Sequence, residues 1–346
     1  MSTNDDRKLP YVRLGNSGLK VSKLILSSKV SPWLLDEEES IEHIKYAYSR
    51  GLNTFDTANA YAGGLSEIVL GKALKALGAP RESVVVLTKV FFPVASPLGQ
   101  PSEEETAALV NQHGLGRKHI FASIKESLER LQLEYVDVLL CHRFDYDTPI
   151  EETMQALHDV VKAGYARYIG MSSCHAWQFH QMQNYAITHN LTPFISMQNF
   201  HNACYREEER EMVPTLKLFG CGMIPWSPLQ RGFLTRPVGE ETKRQVNDWG
   251  FKSRLGGDGP DAAQIAINER VQAIAKARGV SMAQVAVAWS LANEFVTAPV
   301  VGTTSLAKLE DLIAGVFFKL TPEEKKSIDD AYVPRAVVSA VTSGAG

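Results

Sequence analysis

Short β-rich runs alternate with longer helical patterns about eight times along this chain, and no other feature constrains its fold as tightly. Strands are expected at Val21 to Ser28, Asn53 to Asp56, Ser83 to Lys89, Tyr135 to Leu140, Tyr168 to Gly170, Phe194 to Met197, Met223 to Trp226 and Ala298 to Gly302. Helices fit at Glu37 to Arg50, Ser66 to Leu77, Lys118 to Leu131, Ile150 to Ala163 and Leu306 to Ala314. The third of these has Ile120, Ile124, Leu128 and Leu131 at the spacing of one helix face, and Gly164 stops the fourth. Strands separated by helices of this length pair in parallel through right-handed crossovers. Eight such units close as a (β/α)8 barrel, since a doubly wound sheet usually has fewer. The expected class is therefore α/β, a TIM barrel forming one domain over residues 11–338 with tails at 1–10 and 339–346.

Two connections are long: Phe92 to Leu115 after the third strand, and Leu229 to Ile265 after the seventh. Loops of this length are uncommon unless they serve a site, and both would open at the C-terminal mouth of the barrel. The chain has no G-x-G-x-x-G; the nearest approaches, Gly114-Leu115-Gly116 and Gly220-Cys221-Gly222, lack the third glycine. Nor does it have a P-loop, H-E-x-x-H or G-x-S-x-G motif.

Composition removes other classes. With 45% hydrophobic and 22% charged residues the chain is not of a disordered type. A net charge of -3, from 36 basic and 39 acidic residues, gives no electrostatic reason to bind nucleic acid or an anionic membrane. Met1 to Leu9 is polar and mixed in charge, and no apolar run is long enough for a membrane helix, so neither a secretory signal nor a span is expected. Cys141, Cys174, Cys204 and Cys221 are dispersed, which argues against a disulfide framework or thiol zinc site and favours a reducing, cytoplasmic compartment. The acidic run Asp36 to Glu39 suits a first helical turn, and Arg206 to Glu211 reads as a solvated helix face.

The chemistry is expected where polar residues end apolar strands. Asp56 ends the second strand, Lys89 the third and His142 the fourth, with Tyr61 just beyond Asp56. Buried singly, an aspartate and a lysine would be costly; facing one another across the mouth, their charges compensate. An ammonium beside a phenol favours the phenolate, so Tyr61 is expected to titrate below its ordinary range, with His142 orienting it. Such a phenol is a general acid suited to protonating a carbonyl oxygen as hydride arrives at the carbon. Each residue alone also has a structural explanation: an ion pair for Asp56 and Lys89, a packed aromatic for Tyr61, a core histidine for His142.

The segment Gly51-Leu52-Asn53-Thr54-Phe55-Asp56-Thr57-Ala58-Asn59-Ala60-Tyr61, with Ser66-Glu67 and Leu70-Gly71-Lys72-Ala73-Leu74, resembles the signature of the aldo-keto reductase superfamily. The likeness runs from about Tyr11 to Val338. It implies a barrel that uses NADPH without a Rossmann domain, and a tetrad of Asp56, Tyr61, Lys89 and His142. Within the superfamily, Leu35-Asp36-Glu37-Glu38-Glu39, His142-Arg143-Phe144-Asp145, Ile195-Ser196-Met197-Gln198-Asn199 and Pro225-Trp226-Ser227-Pro228-Leu229 are similar to the fungal branch of aryl-alcohol dehydrogenases, norsolorinic-acid reductase and versiconal hemiacetal acetate reductase.

The resemblance implies that Ser172 and Gln198, with Ser173 or Asn199, hold the nicotinamide carboxamide, and that Trp226 packs on its ring. It implies Ser227, Leu229 and Gly232 over the pyrophosphate, with Arg231 as added charge; Arg254, in the long loop, is either a further cation for the 2′-phosphate or a solvated loop charge. Gly302 and Thr304, ahead of a helix, with Lys308 and Asp311 one turn on, would take the 2′-phosphate and adenine. Trp33, Phe91, Phe92 and Arg143 are the expected pocket walls. One departure is the run Leu26 to Trp33, which is shorter than in the branch and lacks its glycine, with Lys29 near the mouth.

The function expected is NADPH-dependent reduction of a small-molecule aldehyde or ketone, aromatic or polyketide-derived, in fungal secondary metabolism. The alternative is an NADPH-holding redox sensor or regulatory subunit with little turnover, resembling potassium-channel β subunits; the shortened first loop motivates it. A metal-dependent hydrolase using Asp56 and His142 fits poorly because Lys89 would repel a cation, so no metal is expected.

Overall fold

The structure is a computed structural model describing residues 7–28, 36–94, 104, 108–240 and 259–337. It opens with an antiparallel hairpin, β1 (Tyr11–Arg13) on β2 (Lys20–Ser22). Eight parallel strands follow: β3 (Ile25–Ser27), β4 (Thr54–Asp56), β5 (Val85–Val90), β6 (Val136–Cys141), β7 (Ala166–Ser172), β8 (Phe194–Gln198), β9 (Gly222–Met223) and β10 (Val300–Val301). They lie in the order β10-β3-β4-β5-β6-β7-β8-β9. The bridges Met223↔Val296 and Trp226↔Val300 join the two ends, so the sheet closes on itself. Helices lie between successive strands, and the expected (β/α)8 barrel is what the chain forms.

Closure explains the strand composition. Every residue of β5 and β6 is buried, because one face meets the barrel interior and the other the helices. Ile25, Val85, Leu87, Val138, Leu140, Ile224 and Val300 pack together inside, whereas Phe55, Val86, Val90, Leu139 and Cys141 pack against the helix layer. This two-residue alternation puts Asp56, Lys89 and His142 in step with the inward-facing set. The register fixes their height: Asp56 lies beside Leu87, Lys89 beside Leu140, and the His142 amide donates to the Val90 carbonyl at 2.9 Å.

The expected single strand from Val21 to Ser28 is two elements. Lys20–Ser22 pairs with the hairpin and only Ile25–Ser27 enters the barrel, with the Lys23 amide bonded to the Pro10 carbonyl between them. An apolar run carries no mark of where its hydrogen-bonding partner changes. The hairpin plugs the end opposite the strand C-termini: Leu14 and Val21 join the interior cluster, and the Asn16 amide reaches the Gly220 carbonyl at 2.7 Å.

Helix ends follow their local chemistry. Asp36 caps Glu37–Ser49 in a reciprocal capping box with Glu39, so the acidic first turn is as expected. Asp261 does the same for Ala262–Arg278, which starts that helix inside the stretch read as loop to Ile265. The helices Leu65–Leu77 and Arg117–Leu131 meet at Gly71, where an added Cβ would lie 2.5 Å from the Leu131 carbonyl oxygen. In an ordinary helix interior Gly→Ala stabilises. Here Gly71→Ala is expected to destabilise by about 1–3 kcal/mol, because backbone cannot give way as a side-chain tip can. Urea unfolding checks the sign, and an unchanged or higher midpoint would contradict this packing.

No helix among the described residues is long and apolar enough to cross a membrane.

Candidate active site

The carboxyl ends of the strands gather the polar residues on one rim. Lys89, with its side chain fully buried, places its Nζ 2.8 and 2.7 Å from the two Asp56 carboxylate oxygens and 2.6 Å from the Thr57 carbonyl. Burial opposes the ammonium charge, but Asp56, Tyr61 and their hydrogen bonds outweigh it and hold the lysine above its ordinary pKa. Tyr61 begins a short turn, Tyr61–Gly64, in the loop that follows β4, with the Lys89 Nζ 4.9 Å from its ring centroid. The His142 ring meets Tyr61 edge-on at 5.7 Å and Phe92 at 5.1 Å. Asp56, Tyr61, Lys89 and His142 are therefore one cluster, as the strand-end argument expected.

A second layer holds this cluster in shape. Gln198 donates to Asp56 Oδ1 at 2.8 Å, giving the carboxylate a third hydrogen bond. The Ser66 hydroxyl bridges Thr57 Oγ1 and the Ser28 carbonyl at 2.9 and 2.6 Å. Asn59 fixes the Phe92 carbonyl at 2.9 Å. Glu67, fully buried, accepts from Thr88 at 2.5 Å and from Arg130 at 2.7 Å, tying the following helix to β5.

Around the rim, the Ser172 hydroxyl donates to the Gln198 carbonyl at 2.8 Å, and the Ser173 amide lies 3.3 Å from Asn199 Oδ1. The Trp226 indole donates to Ser173 Oγ at 3.1 Å, while its ring stacks on Phe200 with centroids 4.5 Å apart. The next segment is sharply bent: Ser227, Gln230 and Arg231 have φ of 53°, 47° and 54°, and Gly232 has 98°. Non-glycine residues in the left-handed region are uncommon and cluster where a loop has a task. Asn202 holds this bend through the Ser227 carbonyl at 3.1 Å and Gln230 Oε1 at 2.9 Å. Leu229 packs beneath it against a separate core that includes Phe233, Leu234, Val271 and Trp289.

Gly302 ends the last strand unit and is exposed, and Ser305 caps Leu306–Phe317. Lys308 is also exposed and donates to Thr304 Oγ1 at 3.0 Å. Asp311 is placed differently: its two oxygens accept from the Ser281 hydroxyl at 2.6 Å and the Gln284 amide at 2.7 Å, at the start of helix Met282–Leu291. Phe91 and Phe92 meet edge-on at 5.1 Å, both partly buried. The Arg143 guanidinium lies 5.7 Å from the Phe92 centroid and donates to the His142 carbonyl at 2.7 Å. Trp33, Arg254 and Lys29 lie outside the described residues.

The Arg206 to Glu211 run is solvated only at Arg210 and Glu211; Glu208 and Glu209 turn inward. Glu208 is buried and accepts from Asn199. Glu209 accepts from His201 and Arg206 at 2.9 Å, and its carboxyl is held down at about 2, burial opposing and those two partners prevailing. Charge alternation on a sequence does not reveal which members turn inward, and only a histidine and asparagine following β8 signalled partners for them.

The matched family model, described as the aldo/keto reductase family, spans residues 27–333. Versiconal hemiacetal acetate reductase of Aspergillus parasiticus is 45% identical, over 95% of this chain and 98% of its own. A Schizosaccharomyces pombe protein named for the aryl-alcohol dehydrogenases is 45% identical, over 94% and 96%. An aldo-keto reductase of Metarhizium robertsii is 42% identical, over 95% and 93%. A barrel closed on itself, its polar cluster on the strand C-terminal rim and this coverage agree: the chain belongs to the aldo/keto reductase family, and is an oxidoreductase of carbonyl compounds.

Proposed function

We propose that the protein uses NADPH to reduce an aromatic or polyketide-derived aldehyde or ketone to its alcohol. The observation that carries this reading is the contact of one buried ammonium with both the Asp56 carboxylate and Tyr61, beside His142. Tyr61 donates its proton to the carbonyl oxygen as that atom gains electron density. Lys89, kept charged by Asp56, stabilises the phenol oxygen that remains, and His142 orients the substrate oxygen. The cofactor, when bound, supplies the hydride.

The chain offers a fitting set of groups for that cofactor. Ser172, Ser173, Gln198 and Asn199 present hydroxyl and amide functions for a carboxamide, and Trp226 an aromatic face already stacked on one side. Ser227, Leu229, Arg231 and Gly232 would cover the pyrophosphate. Gly302, Thr304 and Lys308 would take the 2′-phosphate at a helix N-terminus, with Asp311 behind them and Arg254 as added charge. Phe91, Phe92, Trp33 and Arg143 would wall the substrate. The Aspergillus parasiticus relative is named for an ester-bearing hemiacetal, which supports a bulky carbonyl substrate and a place in secondary metabolism. Four free cysteines suit a reducing cytoplasm.

The test is steady-state oxidation of NADPH and NADH with benzaldehyde. NADPH is expected to be preferred, and Lys308→Ala to reduce that preference by roughly tenfold through KM, the scale of one charge-assisted phosphate contact. Equal use of the two coenzymes, or a preference unmoved by the substitution, would contradict the assignment.

A further inference from the structure

Among the described residues of this rim, Arg143 has no task in the reduction of a simple aldehyde. It follows His142 directly, just past the end of β6, and its side chain folds back onto the His142 carbonyl. Its surroundings are neutral or aromatic: the His142 carbonyl at 2.7 Å, the Phe92 face at 5.7 Å, and Phe92 in turn against His142 and Phe91. By contrast, Lys89 is paired with Asp56 and Arg130 with Glu67. Among the described residues, no carboxylate pairs with Arg143. Burial lowers its pKa, with Tyr61 opposing, and the Phe92 and His142 rings connect the guanidinium to Tyr61 through successive edge contacts.

The guanidinium is half-buried and has no counter-ion among the described residues; an anion bound beside it would pair a charge that the protein only partly screens. The guanidinium has five N–H donors, and the His142 carbonyl occupies one nitrogen. Its planar fork matches the two oxygens of a carboxylate. The Phe92 ring beside it would flank an aromatic or otherwise flat substrate body.

We propose that Arg143 is a specificity-determining residue that selects substrates carrying an anionic oxygen group, a carboxylate or equivalent, on the same flat body as the reacting carbonyl. The proposal rests on the reduction reading above for the position of that carbonyl at Tyr61. Arg143 then sets which end of the substrate enters first, with the anionic group on the guanidinium and the carbonyl toward the phenol. A neutral isostere covers the half-buried guanidinium without pairing it, so discrimination comes from a polar group shut off from water and left unsatisfied.

The experiment compares 4-carboxybenzaldehyde with its methyl ester, 4-(methoxycarbonyl)benzaldehyde, in the parent and in Arg143→Met, with NADPH. The parent is expected to favour the carboxylate by about 10- to 100-fold in kcat/KM, the effect lying mainly in KM. Arg143→Met should collapse that ratio toward unity. A parent that treats the two alike overturns the proposal. So does an equal loss on both substrates in the variant, which would mean that the guanidinium acts on Tyr61 and not on the substrate.

Binding of 4-methylbenzoate and of methyl 4-methylbenzoate to the NADP+-loaded protein, by calorimetry, separates recognition from turnover. If neither aldehyde is reduced, the reduction reading fails. The inhibitor pair still decides the recognition claim: it stands if the anion binds about tenfold tighter and loses this in the variant, and it falls if it does not.

Discussion

Lys89→Met is expected to cost more than any other single change in the barrel, in stability as well as in activity. Its ammonium supplies both oxygens of the Asp56 carboxylate and the Thr57 carbonyl with their donor, and the two side chains are 0% and 3% exposed. Removing one partner leaves a buried, uncompensated charge, at about 3–5 kcal/mol. Gln198 would remain as a single neutral donor to Asp56, too weak to replace the ammonium. The same change removes the cation facing Tyr61, so reduction should fall with it. The double variant Lys89→Met/Asp56→Asn separates the two effects. It removes the stranded charge and should recover a large part of the lost melting temperature, while activity stays as low as in the single variant. Recovery of both together would mean that Lys89 serves the fold alone.

Much of this site was legible because the information that places it is local and periodic. A closed barrel with two buried faces gives each strand an alternation of two, and Asp56 and Lys89 fall in step with the inward apolar residues of their neighbours. Chain order and strand ends alone therefore bring Asp56, Tyr61, Lys89 and His142 to one rim. What remained hidden depends on tertiary partners. Gln198 was expected on a carboxamide, and its Nε2 also tethers Asp56 across the barrel, 142 positions away in sequence. Glu208 and Glu209 look like solvated charges until β8 and its loop bring Asn199 and His201 against them. Asp311 matches a cofactor position by resemblance, yet it also anchors the helix beginning at Met282, a contact that no spacing rule encodes. The hairpin and the break at Lys23 escaped for the related reason that a strand shows its burial in sequence but not its neighbour.

Tyr61→Phe isolates the chemical step. The substitution keeps the ring against His142 and under Lys89 and removes only the oxygen and its proton. Loss of a positioned general acid costs roughly 10²–10⁴ in rate. The groups offered to the cofactor belong to the other strands and loops, so its affinity should change little. A defect in folding or cofactor capture would instead weaken binding together with turnover, and the two are separable in one instrument. The decisive measurement is a stopped-flow single turnover: protein loaded with NADPH is mixed with excess benzaldehyde and the decay of the bound nicotinamide absorbance is followed. Rapid decay is expected in the parent and decay slower by roughly 10²–10⁴ in Tyr61→Phe, with matching NADPH affinities. Equal decay rates in the two proteins would contradict Tyr61 as the proton donor.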